Sequence, residues 1–337
     1  MSSTASQRVV VGQGDYRYEV ANDWPKLPPD WSFIEATAVA AGEQGRVYVF
    51  NRGEHSVIVL AADGEVVDHW GEGVFVRPHG ITLAPDGGVW LVDDCDHTVH
   101  QYTRDGQQQM TLGTSGQPSA TGATSIDYRT IKHAGPPFHF PTNVAVGPNG
   151  EVFIADGYGN ARIHKFTAAG ELLASWGEPG SGPGQFHVPH GIAVDSQGVV
   201  YVADRENDRL QRFDAAGNFL DEWPDLARPT QVFIDSDDVL YVSELGYRAG
   251  MWPGTEPPSS DATGGRVSIL APDGELLARW GGGEQPGTPG DFFAPHDICV
   301  DKHGTVFVAE VNWSAGGKKG LVSASIPSLH KFVRLNA

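Results

Sequence analysis

Three histidines stand at corresponding positions in this chain of 337 residues. His79, His190 and His296 each follow a proline, in RPHGI, VPHGI and APHDI, where a short apolar run begins. Three neutral imidazoles that converge and leave open positions are the ligand pattern of a catalytic Zn2+ or another divalent ion. A single histidine after proline is more often a hydrogen-bonded strand residue. The metal hypothesis therefore needs an architecture that brings all three together.

That architecture is predicted by a unit that the chain repeats six times. Each unit has a short apolar strand, a second strand of the type VYVAD, a third strand, and a fourth that often ends in Trp-Gly, with Gly turns between them. The second strands are predicted at 47–51, 89–93, 152–156, 200–204, 240–244 and 306–310. Repeats at intervals of about 40 to 60 residues predict an all-β fold, a six-bladed β-propeller with four antiparallel strands per blade.

The repeats fill the chain and predict a single domain over 1–337. The expected parts are an N-terminal segment at 1–30 and blades at roughly 31–72, 73–114, 138–178, 186–224, 226–282 and 292–337. The last unit has only three evident strands, so a segment such as Tyr16–Val20 is expected to supply the fourth. That strand would close the ring and remove its open edge.

Histidine occupies the start of the first strand in every second blade. The six starts, in order, are Thr37, His79, Thr142, His190, Thr230 and His296. First strands line the channel and alternate blades lie about 120° apart, so the three imidazoles are expected to meet at one end of the axis. The other histidines, among them His55 and His69, lack this registry and are predicted to be surface or packing residues.

The residues that follow the second strands should surround the histidines, because both positions lie at the same face of an up-and-down blade. Arg52, Tyr158 and Arg205 are among them. An arginine offers a two-pronged donor for a substrate carboxylate, and a tyrosine hydroxyl beside a cation can have its pKa lowered enough to act as a base. Taken singly, such residues more often form rim salt bridges or packing contacts.

Three insertions break the repeat at 113–140, 246–265 and 312–326. By the same topology they rise from the histidine face. They are expected to wall or cover a substrate pocket, with mobile surface loops as the alternative.

Charge and composition limit the partners. The chain has 23 Lys and Arg against 42 Asp and Glu, a formal net charge of -19, which argues against a nucleic acid or an anionic membrane. No partner protein is indicated. The N-terminus lacks the pattern of a secretory signal, and Cys95 and Cys299 are too far apart in sequence to indicate a disulfide framework. A cytoplasmic location is expected.

The repeat resembles the NHL repeat, as in PHGIAVDSQGVVYVADRENDRL. The set RPHGI, DGYGNARI, VPHGI, ADRENDRL and APHDI, preceded by NRGEH, is similar to the catalytic core of the peptidyl-α-hydroxyglycine α-amidating lyase family, which is also a six-bladed propeller with one catalytic zinc. The resemblance implies that His79, His190 and His296 are the zinc ligands. It also implies that Tyr158 is the catalytic tyrosine and that Arg52 and Arg205 are the active-site arginines.

The same resemblance implies a structural Ca2+ deeper in the channel. Its expected ligands are Asp297 and the backbone carbonyls of Val39 and Ile81. One departure is Gly159, which stands where secreted animal members of the family carry a disulfide cysteine. This difference fits a cytoplasmic relative.

The implied activity is that of a carbon-nitrogen lyase. It would cleave a carbinolamide of the α-hydroxyglycine type to an amide and glyoxylate or a related aldehyde acid, so the expected partner is a small molecule with a carboxylate. Three alternatives remain open: a non-catalytic NHL interaction module, a metal-dependent hydrolase or lactonase, and a lyase that opens cyclic esters by breaking a C–O bond.

Overall fold

The computed structural model describes residues 8–335 and consists almost entirely of antiparallel strands arranged as six blades. Blade 1 contains Ala36–Ala41, Val47–Asn51, Val57–Leu60 and Val66–Trp70. Blade 2 contains Pro78–Leu83, Val89–Asp93, Thr98–Tyr102 and Gln108–Gly113. Blade 3 contains Pro141–Val146, Val152–Asp156, Arg162–Phe166 and Leu172–Trp176. Blades 4 and 5 contain Pro189–Val194, Val200–Asp204, Arg209–Phe213 and Phe219–Trp223; and Pro229–Ile234, Leu240–Glu244, Arg266–Leu270 and Leu276–Gly281. The six-bladed propeller expected from the repeats is confirmed.

Blade 6 joins the two ends of the described chain. Its strands Pro295–Val300, Val306–Glu310 and Leu329–Arg334 are completed by Tyr16–Val20, which pairs antiparallel with Leu329–Arg334. The predicted closing strand is therefore present. A further strand, Val10–Gln13, was not predicted from the repeats and pairs with Tyr16–Val20 as a fifth member of this sheet.

The second strands have the bounds expected from the sequence, and every residue in them is buried. Each blade packs between two neighbours, which explains why these strands are continuous apolar runs and do not alternate with polar residues. The core consequently lies between the blades, in apolar clusters such as that of Trp70 with Tyr102.

The Trp-Gly ends and the turn glycines fit together across blade boundaries. Gly106, in the turn between the third and fourth strands of blade 2, lies on the indole of Trp70 in blade 1, where an added Cβ would be 2.7 Å from the ring. Its φ of +81° also favours glycine. The repeat thus encodes contacts between units as well as within them.

Short elements complete the fold. They are one helical turn at Asn312–Ala315, 3-10 segments at Glu43–Gly45, Tyr128–Thr130, Arg205–Asn207 and Gly317–Lys319, and a parallel pair formed by Glu178–Pro179 and Gln185–Phe186. Within residues 8–335, no helix has the length and apolar character that crossing a membrane requires.

Candidate active site

The three alternating histidines meet at one end of the channel. The ring centroids of His79, His190 and His296 lie 4.9, 4.7 and 4.7 Å apart, and all three side chains are buried. Their ligand atoms lie within 4.8 Å of one another. The six-fold repeat therefore brings together residues that are far apart in sequence.

The threonines in the intervening blades fix the histidine tautomers. Nδ1 of His79 donates to the backbone carbonyl of Thr142 at 2.6 Å, and Nδ1 of His190 donates to that of Thr230 at 2.7 Å. Because a carbonyl only accepts, the proton is on Nδ1 and the lone pair is on Nε2. His296 makes the equivalent bond to Thr37 at 2.6 Å.

Burial keeps these imidazoles neutral. It lowers the pKa of His79 and of His190 well below the ordinary value, and nearby imidazoles and arginines lower both pKa values further. Burial likewise lowers the pKa of His296, to about 3. Three neutral rings with their Nδ1 atoms engaged and their Nε2 atoms available fit the donor set of a tetrahedral zinc site with one open position.

Tyr158 lies directly against this cluster. Its hydroxyl oxygen is 3.2 Å from Nε2 of His79 and 3.0 Å from Nε2 of His190. The preceding residue, Gly157, permits this placement because a Cβ there would lie 2.1 Å from the carbonyl oxygen of Pro189. The close approach of the loop to the histidine strand thus depends on glycine.

Arg205 reaches the same hydroxyl from the 3-10 segment after the blade 4 second strand. Its Nη1 donates to the Tyr158 oxygen at 3.2 Å, while its Nε donates to Glu206 at 2.8 Å. Glu206 also accepts from Arg228 at 2.7 Å. Burial raises the pKa of Glu206, but the two arginines outweigh this and hold the pKa below its ordinary value. One carboxylate thus serves two guanidinium groups, which leaves a net positive charge beside Tyr158.

Arg52 lies on the opposite side of the cavity. Its Nη1 donates to Glu35 at 2.7 Å and its Nε donates to the carbonyl of Pro78 at 3.1 Å, directly before His79. Glu35 also accepts from the backbone N–H of Ser314. This pairing ties the third insertion to the loop that carries Arg52.

Arg77 is a cavity residue that the sequence analysis missed. It precedes His79 by two residues, its guanidinium carbon lies 6.0 Å from the Tyr158 ring centroid, and its Nη1 is 3.0 Å from the buried carboxylate of Asp94. Asp94 directly follows the second strand of blade 2 and was therefore also expected around the histidines, but it lies behind Arg77 and is not among the described residues that line the cavity. The place of Arg77 in RPHGI, two residues before a predicted metal ligand, could have indicated a cavity residue. The first-strand pattern, however, does not predict the side-chain direction of a residue that precedes the strand.

A cavity of about 260 Å³ opens over the histidines. Its lining includes His296, Tyr158 and the three arginines, and also Ile126, Leu245, Gly250, Met251, Trp252, Pro253, Val311, Ser314, Ala315 and Lys319. Among the described residues that line it there is no carboxylate. All three insertions contribute, so a positively charged pocket with partly apolar walls forms on a strongly acidic protein.

Two of the insertions meet above the site. Nη1 of Arg129 donates to the carbonyl of Pro253 at 3.0 Å, and the Tyr128 and Trp252 rings meet edge to face at 5.8 Å. Trp252 in turn lies 6.0 Å from the Arg205 guanidinium carbon. These contacts form a roof, which we define as 126–129 together with 250–253.

The residues expected to hold calcium lie around the same channel. Asp297 is buried; its Oδ1 accepts from the Ile298 N–H at 2.7 Å, and its Oδ2 has no hydrogen-bond partner among residues 8–335. Burial raises the pKa of this carboxyl well above its ordinary value. Val39 and Ile81 line the channel on the side away from the pocket. An unpartnered buried carboxylate oxygen fits a cation ligand, and the Ca2+ assignment stays a prediction.

Comparisons with known proteins agree with this architecture. The model of the NHL repeat matches residues 138–166 and 186–213. A Drosophila melanogaster protein named peptidyl-alpha-hydroxyglycine alpha-amidating lyase 1 is 31% identical over 336 residues, covering 88% of this chain and 58% of that protein. Human NHL repeat-containing protein 3 is 29% identical over 332 residues, covering 93% and 86%.

Other curated relatives are longer, and the chain spans 34% to 43% of the length of three of them. Among solved structures, a gluconolactonase from Xanthomonas campestris matches with a TM-score of 0.57 at 14% identity, covering 95% of this chain and 90% of that one. Identity at that level supports the shared fold only. The chain is therefore an NHL-repeat six-bladed β-propeller with homologues named peptidyl-α-hydroxyglycine α-amidating lyase.

Proposed function

We propose that the protein is a metal-dependent lyase that cleaves the C–N bond of a carbinolamide of the α-hydroxyglycine type, with an amide and glyoxylate or a related aldehyde acid as products. The single observation that supports this most strongly is the Tyr158 hydroxyl, which contacts two histidines and Arg205 within 3.2 Å. A proton acceptor, a metal-binding site and an arginine that can bind a substrate carboxylate then meet at one point. The lyase name of the fly relative agrees with the proposal.

His79, His190 and His296 would hold the divalent ion through Nε2. A bound Zn2+ would supply Lewis acidity that lowers the pKa of a substrate hydroxyl. The protein's own contribution begins with Arg205 and Arg52, which would bind the substrate carboxylate and orient the carbinol carbon.

Tyr158, as phenolate, would accept the hydroxyl proton. The O–H electrons then form the carbonyl π bond while the C–N bond breaks and its electron pair goes to nitrogen. Tyr158 can return the same proton to that nitrogen, which gives the neutral amide. Atoms balance without an added reactant, since the hydroxylated amide divides into an amide and an aldehyde acid.

The pocket favours a small substrate. A cavity of about 260 Å³ is smaller than the pockets that hold drug-sized ligands, and the roof covers it on one side. Ile126, Met251 and Trp252 present apolar surface beside the charged groups. A short N-acyl-α-hydroxyglycine matches this combination of a carboxylate end and an apolar acyl end. We place this chemistry in the cytoplasm, which stays a prediction.

The Tyr158→Phe variant tests the proposal. Removing the hydroxyl eliminates the proton acceptor but keeps the ring, so kcat for α-hydroxyhippurate should fall by roughly 100-fold or more. Tyr201→Phe is the matched control, because its hydroxyl is also buried and bonds Asp195 at 3.2 Å on the opposite face. Equal kcat values for Tyr158→Phe and the parent would contradict the assigned base.

A non-catalytic interaction module is the second candidate. It is favoured by the match to human NHL repeat-containing protein 3, which extends over 86% of a protein named only for its repeat. Such a module predicts no turnover of any carbinolamide and unchanged partner binding in Tyr158→Phe.

A further inference from the structure

A second group of metal-ligand side chains lies on the rim of blade 1. It consists of His55, His69 and Glu72, whose ligand atoms lie within 4.8 Å of one another. Neither histidine has the registry of His79, His190 and His296, which we call the axial histidines, and both were predicted to be surface or packing residues. We name this group the rim cluster.

Strand register explains how the rim cluster forms. Val57, which opens the third strand of blade 1, pairs with Trp70 at the end of the fourth. Residues just before Val57 and just after Trp70 therefore lie side by side, which places His55 next to Glu72. His69 is the partner of Ile58 in the same ladder. The two sequence segments are thus held together by backbone pairing.

The donor atoms of the rim cluster already converge. Nδ1 of His55 lies 2.9 Å from Oε1 of Glu72, and Nδ1 of His69 lies 2.6 Å from the same oxygen. The two imidazole centroids are 4.7 Å apart, which matches the separations of 4.7 to 4.9 Å within the axial group. Both groups therefore share the spacing that a single small ion can bridge.

The rim cluster is also preorganised. The Trp31 indole stacks on His55 with ring centroids 3.6 Å apart and meets the edge of His69 at 5.0 Å. Both histidines also hydrogen-bond the same carboxylate oxygen of Glu72, which fixes the three side chains relative to one another. Two oriented imidazoles and one carboxylate are a ligand set for Zn2+ and other late first-row ions, whereas Ca2+ and Mg2+ prefer oxygen ligands throughout.

We propose that His55, His69 and Glu72 form a second divalent-metal site, separate from the axial histidines and suited to Zn2+ or a similar late first-row ion. Two histidines and one glutamate also form zinc sites in other proteins, where water takes the fourth position. The loop that carries His55 also carries Arg52, three residues earlier, so a bound ion would link the rim of blade 1 to the arginine of the cavity. The rim site does not depend on the proposed function; only the count of two ions expected below also assumes zinc on the axial histidines.

Zinc stoichiometry in chelator-treated, dialysed protein tests this site directly. Equilibrium dialysis against micromolar ZnCl2 should load two ions on the parent and one on His69→Ala or Glu72→Gln. The His190→Ala variant should also load one, at the rim, and His190→Ala combined with His69→Ala should load none. His303→Ala is the control for the loss of an exposed histidine, and it should keep both ions.

The result that would overturn the proposal is a parent that loads one ion, with no loss in His69→Ala or Glu72→Gln. A His190→Ala protein that loads no zinc while its circular dichroism matches the parent's would overturn it as well. X-ray absorption of zinc-loaded His190→Ala supplies a second readout. Two imidazoles with oxygen ligands are expected, and a shell without imidazole would reject these residues as ligands.

Discussion

At the scale of single residues, the account depends on histidines that are neutral because they are buried. His296 illustrates this, since burial lowers its pKa from the ordinary 6.5 to about 3 while its Nδ1 proton is held by the Thr37 carbonyl. Neutral imidazole is the form that binds a metal ion, so the blade architecture prepares the ligand before any ion arrives.

This depressed pKa predicts an acid-sensitive fold. Between pH 6.5 and about 3 the unfolded chain binds a proton at His296 that the native chain does not. The contribution of neutral His296 to the free energy of unfolding is therefore fully present above pH 6.5 and is lost as the pH falls from 6.5 to about 3. For metal-free protein, one such group changes the free energy of unfolding by at most about 1.4 kcal/mol per pH unit. His296→Asn, which keeps a donor toward Thr37, should flatten the profile of unfolding free energy between pH 7 and 5, measured with urea. An unchanged slope would contradict a buried neutral His296.

The sequence was sufficient to predict the axial histidines and the presence of Arg52, Tyr158 and Arg205 beside them, but not the whole lining of the pocket. His79, His190 and His296 could be predicted to meet because they occupy the same position in the repeat, and that position lies beside the channel in every blade. Arg77 and the rim cluster could not, because the direction of a side chain outside the strand pattern depends on turns and on neighbouring blades. The roof belongs to insertions that were expected to wall or cover the pocket, but its contacts could not be predicted because the insertions carry no repeat.

At the scale of elements, a buried acid at the end of the second strand holds the segment that leads into the first strand in blades 2 to 6, whereas blade 1 has Asn51 at this position. Oδ1 of Asp204 accepts from the backbone N–H of His187 at 2.8 Å, and Glu310 accepts from Phe293 at 2.8 Å and Ala294 at 2.7 Å. Their contacts show that they anchor the loops ahead of the histidine strands.

Asp204→Ala should therefore destabilise blade 4. The change removes the carboxyl group that accepts from the His187 N–H and from Nε of Arg209 at 2.9 Å, while Arg209 keeps Glu222 at 2.6 Å, so we expect a loss of about 1–3 kcal/mol in the free energy of unfolding. Asp221→Ala removes an exposed partner of Arg212 and should cost less than about 1 kcal/mol. Chemical denaturation of both variants provides the comparison. Equal losses would reject the anchoring role of Asp204.

At the scale of the whole molecule, closure of the ring by Tyr16–Val20 fixes the six first strands around one axis. The insertions add the outer wall of the pocket, since the roof joins the loop after blade 2 to the loop within blade 5. The scaffold thus supplies metal ligands from the blades and substrate selection from the loops.

The roof should favour short acyl groups over peptides. Arg129→Ala removes its hydrogen bond to the Pro253 carbonyl and should open the cavity. We expect kcat/KM for a longer peptidyl-α-hydroxyglycine to rise roughly two- to tenfold relative to α-hydroxyhippurate. Arg104→Ala, on the opposite face, is the control. A ratio that does not change in Arg129→Ala would contradict the roof as the element that limits substrate length.

The most direct test of the central claim is product analysis after zinc-loaded protein acts on α-hydroxyhippurate. The lyase account predicts benzamide and glyoxylate in equal amounts, formed well above the rate with His190→Ala protein. Benzoate without benzamide, or no product beyond that of the His190→Ala control, would contradict it.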